Sequence, residues 1–360
     1  MRILLSAILL SFVNSLMSQP SESVIDSLFA NYSGTNTPGA TVMVIKDGKP
    51  IFAKAYGMAH LEKQLPCSIE TNFRLASVTK QFTAMAVLTL AERGKLSLDD
   101  KLHKYFPEFP EYGKEITVRH LLTHTSGIPD YEDHMPEGLK IPLSDRDVLH
   151  ILMQQDHLYF APGTNFRYSN SGYAMLALLV EIVSGQTFPA YLEEHIFKPL
   201  GMNNSIAYVA GISEVPNRAH GYNLENGKWT YSDQSLTSAV LGDGGIYSSV
   251  TDLFRWDQAL YTEKLVSKKT LEDAFTVHSK KSDFDSSGYG YGWYIGDRDG
   301  VKNVWHYGST CGFRTYFSRF PEKRFSIIIL TNRREPALDE LAGKLTALYL
   351  QSEGTNDQKP

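Results

Sequence analysis

Apolar residues recur three and four positions apart after Ser77: Val78, Phe82, Met85, Ala86 and Leu90, followed by Arg93 and Gly94. That spacing predicts a buried helix with a basic last turn and a stop glycine. Near the start the period changes to two. Ala40 to Lys46 reads as a strand, Asp47-Gly48-Lys49 as its turn and Pro50 to Tyr56 as the return strand of a hairpin. A short helix is predicted over about Ser21 to Ala30. From Ser77 to about Tyr208 the signals are mostly helical. Thr117 is placed to cap a turn that runs through Leu122 and stops at Gly127, and Ser171 to Ser184 reads as a strongly apolar helix ending at Gly185. Strand patterns return over Tyr289 to Ile295, Lys302 to His306, Phe313 to Phe320 and Phe325 to Thr331, with a final amphipathic helix from about Ala337 to Leu350.

These patterns predict an α/β (α+β) fold: an antiparallel sheet built from both chain ends, flanked by helices, with a mostly helical region inserted between. In numbers, residues 19–90 and 240–350 form the sheet region, 91–239 the helical region, and 351–360 a disordered polar tail. Residues 1–18 read as a secretory signal: Met1-Arg2 supply positive charge, Ile3 to Val13 an apolar run, and Asn14 to Ser18 a small, polar end. Cleavage is expected after Ser15 or Ser18, giving an exported protein, periplasmic or secreted. The apolar run is shorter than the ~20 residues of a bilayer span, so no stable membrane span is expected in the mature chain.

Composition adds exclusions. With 42% hydrophobic and 21% charged residues the chain is that of an ordinary globular protein. A formal charge of −5 and the lack of any basic run with interleaved aromatics argue against a nucleic-acid partner. Two cysteines, Cys67 and Cys311, cannot build a disulfide framework, and one bridge or two free thiols are both open.

The chemistry concentrates at Ser77 and Lys80, three apart on one helix face. A serine hydroxyl is a poor nucleophile until its proton is taken, and a desolvated lysine is able to take it. Tyr168-Ser169-Asn170 precedes the Ser171 helix. A tyrosine beside a cationic lysine is expected to have its pKa lowered from ~10, and Asn170 to bond both the lysine and a substrate carbonyl. At a late strand end lies Trp305-His306-Tyr307-Gly308-Ser309. There Gly308 is expected to let a substrate backbone approach, and the Ser309 amide to face a developing oxyanion. His120 and His124 are four apart but bring neither an H-E-x-x-H pattern nor a third ligand, so no metal is assigned. Gly244-Gly245 lacks the lysine-serine pair of a phosphate loop, and Ser249 with Asp252 reads as a helix-starting capping box. No cofactor is implied.

Serine, lysine, tyrosine, asparagine and a late strand motif in this order resemble the serine β-lactamase and penicillin-binding-protein family. The class C β-lactamase-like branch, which also contains carboxylesterases and D-amino-acid peptidases, is the nearest in pattern. Supporting stretches are Leu121 to Ile128, Gly244 to Ser248 and His306 to Phe313, so the resemblance covers nearly all of the mature chain. It implies the β-lactamase/transpeptidase-like fold, Ser77 as acylated nucleophile, Lys80 as its proton partner, Tyr168 as general base, with Lys80 equally open as the base on sequence, and Asn170 as a positioning residue. It also implies an oxyanion hole from the amides of Ser77 and Ser309. Two departures stand out: Tyr168 replaces the serine of S-D-N, and His306 replaces the lysine of K-T-G. A histidine with pKa near ~6.5 is mostly neutral at pH 7, which weakens a carboxylate anchor. Arg314 is either a substitute anchor or a solvated strand arginine.

The resulting expectation is an exported serine hydrolase cleaving an ester or amide through an acyl-enzyme, as a carboxylesterase or a D-amino-acid or cell-wall peptide hydrolase acting on a small-molecule or peptide substrate. The alternatives are a β-lactamase turning over penicillins and a non-catalytic binding protein on the same fold.

Overall fold

The computed structural model describes residues 20–282, 285–335 and 338–350. The expected signal, 1–18, and the polar tail, 351–360, lie outside the described residues. Naming the principal elements in chain order, α1 is Glu22–Leu28, β1 Ala40–Lys46, β2 Lys49–Tyr56, α2 Lys80–Glu92, α3 Val118–Leu122, α4 Asp145–Met153, α5 Asn170–Ser184 and α6 Val250–Ala259. Then come β3 Ser279–Ser282, β4 Asp285–Tyr289, β5 Tyr294–Arg298, β6 Val301–Thr310, β7 Phe313–Phe320, β8 Phe325–Thr331 and α7 Leu338–Leu350.

The eight strands form one antiparallel sheet in the order β3-β4-β5-β6-β7-β8-β1-β2, which joins the two ends of the chain. Residues 40–46 pair with 325–331 over their whole length, from Ala40↔Thr331 to Lys46↔Phe325. Strand β8 is buried on both faces, which is why it reads as the continuous run Ile327 to Leu330 and not as an alternation. Its residues divide by parity. Ile327 and Ile329 pack with Ile25, Phe29 and Leu345 of α1, the chain following it and α7. Ile328 and Leu330 join the larger core with Phe82 of α2 and Tyr173 and Leu176 of α5. The site lies on that second side, where the helical region meets the sheet.

The β1–β2 turn carries positive φ at both Asp47 (49°) and Gly48 (76°), the conformation an aspartate-glycine hairpin requires, so Lys49 already belongs to β2. Helix α3 begins at the Thr117 cap and α5 ends at left-handed Gly185, as the pattern predicts. Ser249 caps α6 by accepting the Asp252 N–H, whereas the Asp252 carboxylate turns to Ser205, the Asn204 amide and Arg255 in place of closing a capping box.

Two expected strands have different bounds. Tyr289 to Ile295 is the end of β4, a turn and the start of β5. Gly292 (φ 81°) runs so close to α2 that a Cβ there would stand 2.7 Å from the Lys80 carbonyl oxygen, and the chain turns at this approach. Lys302 to His306 is the middle of a longer strand that continues to Thr310 because β7 pairs with it up to Thr310↔Phe313.

Candidate active site

Ser77 sits in a 3-10 turn, Ala76–Thr79, that runs directly into α2, so Lys80 opens the regular helix. The turn starts at Ala76 with φ 49°, a left-handed alanine, which stores strain just before the candidate nucleophile. Ser77 is half-buried while both neighbours are buried, leaving its hydroxyl as the accessible group.

Lys80 is fully buried and its three donors are all used. Nζ lies 3.2 Å from Ser77 Oγ, 2.9 Å from Asn170 Oδ1 and 2.9 Å from the Asp243 carbonyl oxygen. It also lies over the rings of Tyr168 and Tyr173, 4.8 and 5.4 Å from their centroids. Burial pulls Lys80 down to about 8, against the upward pull of the Asp243, Glu132 and Asp130 carboxylates. About one tenth of the lysine is then neutral at pH 7.

Tyr168 behaves opposite to expectation. Its hydroxyl is buried without a hydrogen-bond partner, and burial pushes its pKa well above the ordinary phenol value, with the nearby Ser77 hydroxyl only partly offsetting. Desolvation outweighs the neighbouring lysine, so the side chain is a phenol and not a phenolate. His124 fixes the approach to it: Nδ1 accepts the Ser169 N–H at 3.0 Å and the ring packs 4.4 Å from that of Tyr168. Asn170 opens α5 and bridges two charges, accepting from Lys80 through Oδ1 and donating through Nδ2 to Glu132 Oε1 at 2.9 Å. His120 lies apart from this centre, where it closes the capping box of α3 with Thr117.

The late motif comes alongside on β6. His306, expected to face substrate, is wholly buried with both nitrogens engaged. Nδ1 donates to the Tyr307 carbonyl at 2.7 Å, so Nε2 is the acceptor of the Tyr289 hydroxyl at 2.9 Å. Burial, aided by Lys80, pushes its pKa down to about 3, and the imidazole stays neutral. Gly308 serves a closer neighbour than a substrate: a Cβ would stand 2.2 Å from the Leu75 carbonyl oxygen and 3.1 Å from the Ala76 side chain. The missing side chain lets β6 lie against the Ser77 turn. Ser309 follows, exposed, opposite Arg314 of β7. Arg314 donates to the Phe313 carbonyl and lines a cleft of about 530 Å³ with Trp305, Tyr307 and Ser309.

On the other side of β6, pairing with β5 ends at Tyr294↔Trp305. Among the described residues, His306 to Thr310 therefore has strand partners only in β7, leaving its second edge open beside Ser77.

Three participants carried no sequence signal of their own. Asp243, just before the noted Gly244-Gly245, gives Lys80 a carbonyl acceptor. Its buried carboxylate accepts from the Tyr131 hydroxyl at 3.3 Å, and burial raises its pKa. Glu132 lies in an irregular acidic loop, where no periodicity marks it, and Tyr289 reads from the pattern only as the first residue of a strand. Both cysteines are free. Among the described residues no group of three or more histidine, cysteine or acidic side chains is arranged to hold a metal, and no single helix is long and apolar enough to cross a membrane.

Residues 25–351 match the Beta-lactamase family model. The chain belongs to that family. Within the Beta-lactamase family it is 32% identical over 335 residues to Penicillin-binding protein 4* of Bacillus subtilis (strain 168), across 89% of this chain and 73% of that protein. It spans 61% and 62% of the length of further curated relatives. The octameric penicillin-binding protein homologue from Pyrococcus abyssi superposes with a TM-score of 0.81 at 32% identity, over 92% of this chain and 76% of that one. D-amino acid amidase from Ochrobactrum anthropi SV3 superposes with a TM-score of 0.77 over 93% of this chain and 99% of its own, and at 20% identity shares the fold.

Proposed function

We propose that this protein is a serine hydrolase that cleaves peptide-like amides or esters through an acyl-enzyme on Ser77. The observation that carries the reading is Lys80: fully buried, 3.2 Å from Ser77 Oγ and depressed to about 8. In its neutral form Nζ takes the Ser77 proton as Oγ adds to the substrate carbonyl carbon. The oxyanion that forms is received by the amides of Ser77 and Ser309. Collapse of the tetrahedral adduct expels the amine or alcohol, which takes back a proton. Lys80, protonated in the first step and 3.2 Å from Ser77 Oγ, holds that proton beside the leaving group and is suited to return it. Water then repeats the addition and releases the acid. This ordering supports Lys80 over Tyr168 as the base.

The open edge of β6 at His306 to Thr310 supports an extended acyl chain bound by main-chain hydrogen bonds. A neutral, buried His306 offers no cationic anchor at the K-T-G position, which favours amides and esters over penicillins. Penicillin-binding protein 4*, 32% identical to this chain, is named for penicillin, which keeps a penicillin among the substrates to be tested. Export is proposed on the Met1 to Ser18 pattern, and a mature terminus at Leu16 or Gln19 is the result that supports it.

The test is turnover by the purified protein of a D-amino-acid amide, a short-chain p-nitrophenyl ester and a penicillin, with Ser77→Ala alongside. Amide or ester turnover lost in Ser77→Ala supports the reading. Penicillin as the preferred substrate would reverse the ranking, and no turnover of any would favour the non-catalytic alternative.

A further inference from the structure

Lys80 is held partly by a turn that lends it only a main-chain oxygen. In Leu241–Gly244, three successive carbonyls are taken by three side chains: Gly242 O by Thr83 Oγ1 at 2.7 Å, Asp243 O by Lys80 Nζ at 2.9 Å and Gly244 O by Arg74 Nε at 3.2 Å. The amide end of the same turn is gripped by one residue from elsewhere in the chain. Asp145, the first residue of α4, accepts the Leu241 N–H through Oδ2 at 2.9 Å and the Gly242 N–H through Oδ1 at 3.0 Å. The carboxylate is buried and makes no ion pair with a cation among the described residues. Keeping it there is costly, and two main-chain amides are its compensation. Gly242 cannot retreat, because a Cβ at that position would already lie 2.3 Å from the Tyr173 carbonyl of α5. The turn is thus pressed between α5 and Asp145, and its register decides where the Asp243 carbonyl points.

We propose that Asp145 is a positioning residue of the acylation centre, holding the Leu241–Gly244 turn by its first two amides so that the Asp243 carbonyl stays on Lys80. It touches neither Ser77 nor substrate and acts only through that carbonyl. The proposal rests on the reading that neutral Lys80 activates Ser77.

An asparagine at this position keeps one acceptor but turns an NH₂ group toward the other N–H, so one amide is released. Lys80 then loses an oxygen that favours its charged form, and its protonation midpoint falls. The charges and rings that face Lys80 are Asp243 on the turn, Asp130 and Glu132 on the acidic loop, Tyr168 and Tyr173, and the neutral His124 and His306. Asp243 is the charged group that faces Asp145. None of these is substituted in Asp145→Asn, but the variant also removes Asp145's own charge, whose pKa burial raises to about 7, so the charge-neutral Thr83→Val carries the test of geometry.

The experiment is the single-turnover acylation rate of the full chain with a short-chain activated ester, measured from about pH 6 to 10 across the lysine range. Asp145→Asn is expected to move the rising limb to lower pH and to lower the limiting rate about tenfold, the loss typical of one hydrogen bond to a charged group. Ser144→Ala removes the α4 cap and leaves the carboxylate in place, so it is expected to lower the melting temperature without moving the limb. Thr83→Val loosens the same turn at Gly242 and is expected to shift the limb in the same direction, which serves if Asp145→Asn does not accumulate. A limb unmoved in Thr83→Val, which loosens the turn without changing any charge, would overturn the proposal while leaving the Lys80 reading intact. A wild-type profile flat over the whole range would overturn the Lys80 reading and the proposal with it.

Discussion

Lys80 Nζ stands 3.2 Å from Ser77 Oγ, within a setting that removes water from the amine but leaves the hydroxyl half-accessible. Since only the neutral amine accepts a proton, acylation is expected to rise with pH, reach half its limiting rate near about 8 and level off above. A single-turnover pH profile checks this. Lys80→Ala should lose at least about a hundredfold in acylation rate, the usual contribution of a positioned general base.

Asn170 joins Lys80 to Glu132 through one amide, accepting from the first and donating to the second. Asn170→Ala removes a hydrogen bond to a charged group, worth about 1.5–3 kcal/mol, and should slow acylation roughly ten- to hundredfold. Asn170→Asp places a fourth carboxylate near the lysine, beside Asp243, Glu132 and Asp130, and should move the pH limb upward, because a nearby negative charge favours the ammonium form. Rates measured on both variants separate the loss of the bond from the shift in charge.

Much of this centre is legible in the chain before folding. Ser77 and Lys80 share a helix face by spacing alone, and the glycine-punctuated strands and the Asp47-Gly48 hairpin are local chemistry. The pairing of residues 40–46 with 325–331 was readable only as an expectation that both chain ends share a sheet. The electrostatics were less accessible. Tyr168 beside a lysine suggests a lowered pKa until burial is known, and burial is a property of the packed site. His306 and Gly308 have the right motif for substrate contact, yet they pack against Tyr289 and Leu75. Asp243, Glu132 and Asp145 act through main-chain groups or across long separations, where no spacing rule reaches.

Gly308 allows β6 to touch the turn that carries Ser77. Gly308→Ala forces a methyl against the Leu75 carbonyl oxygen and Thr315 Oγ1, both within 2.3 Å of its ideal position. Overpacking of this kind costs about 1–3 kcal/mol. Denaturant melts should show that loss, and acylation should fall further than stability does, because the displaced strand carries the Ser309 amide.

His306 links the site to acid stability. The fold holds the imidazole neutral, with a pKa near about 3, whereas the unfolded chain binds the proton near ~6.5. Its stabilising contribution is therefore complete above ~6.5 and is lost as pH falls from there toward 3. His124, also buried and depressed by burial first, acts in the same direction. Thermal melts should show a falling melting temperature over that window, with a shallower slope in His306→Gln.

Acylation of Ser77 is tested most directly by intact mass of the purified protein, quenched within seconds of adding a short-chain activated ester or a D-amino-acid amide. The account predicts a single acyl adduct on wild type, absent in Ser77→Ala and accumulating more slowly in Lys80→Ala. An adduct that persists in Ser77→Ala, or substrate consumption by wild type with no adduct even under acid quench, would contradict it.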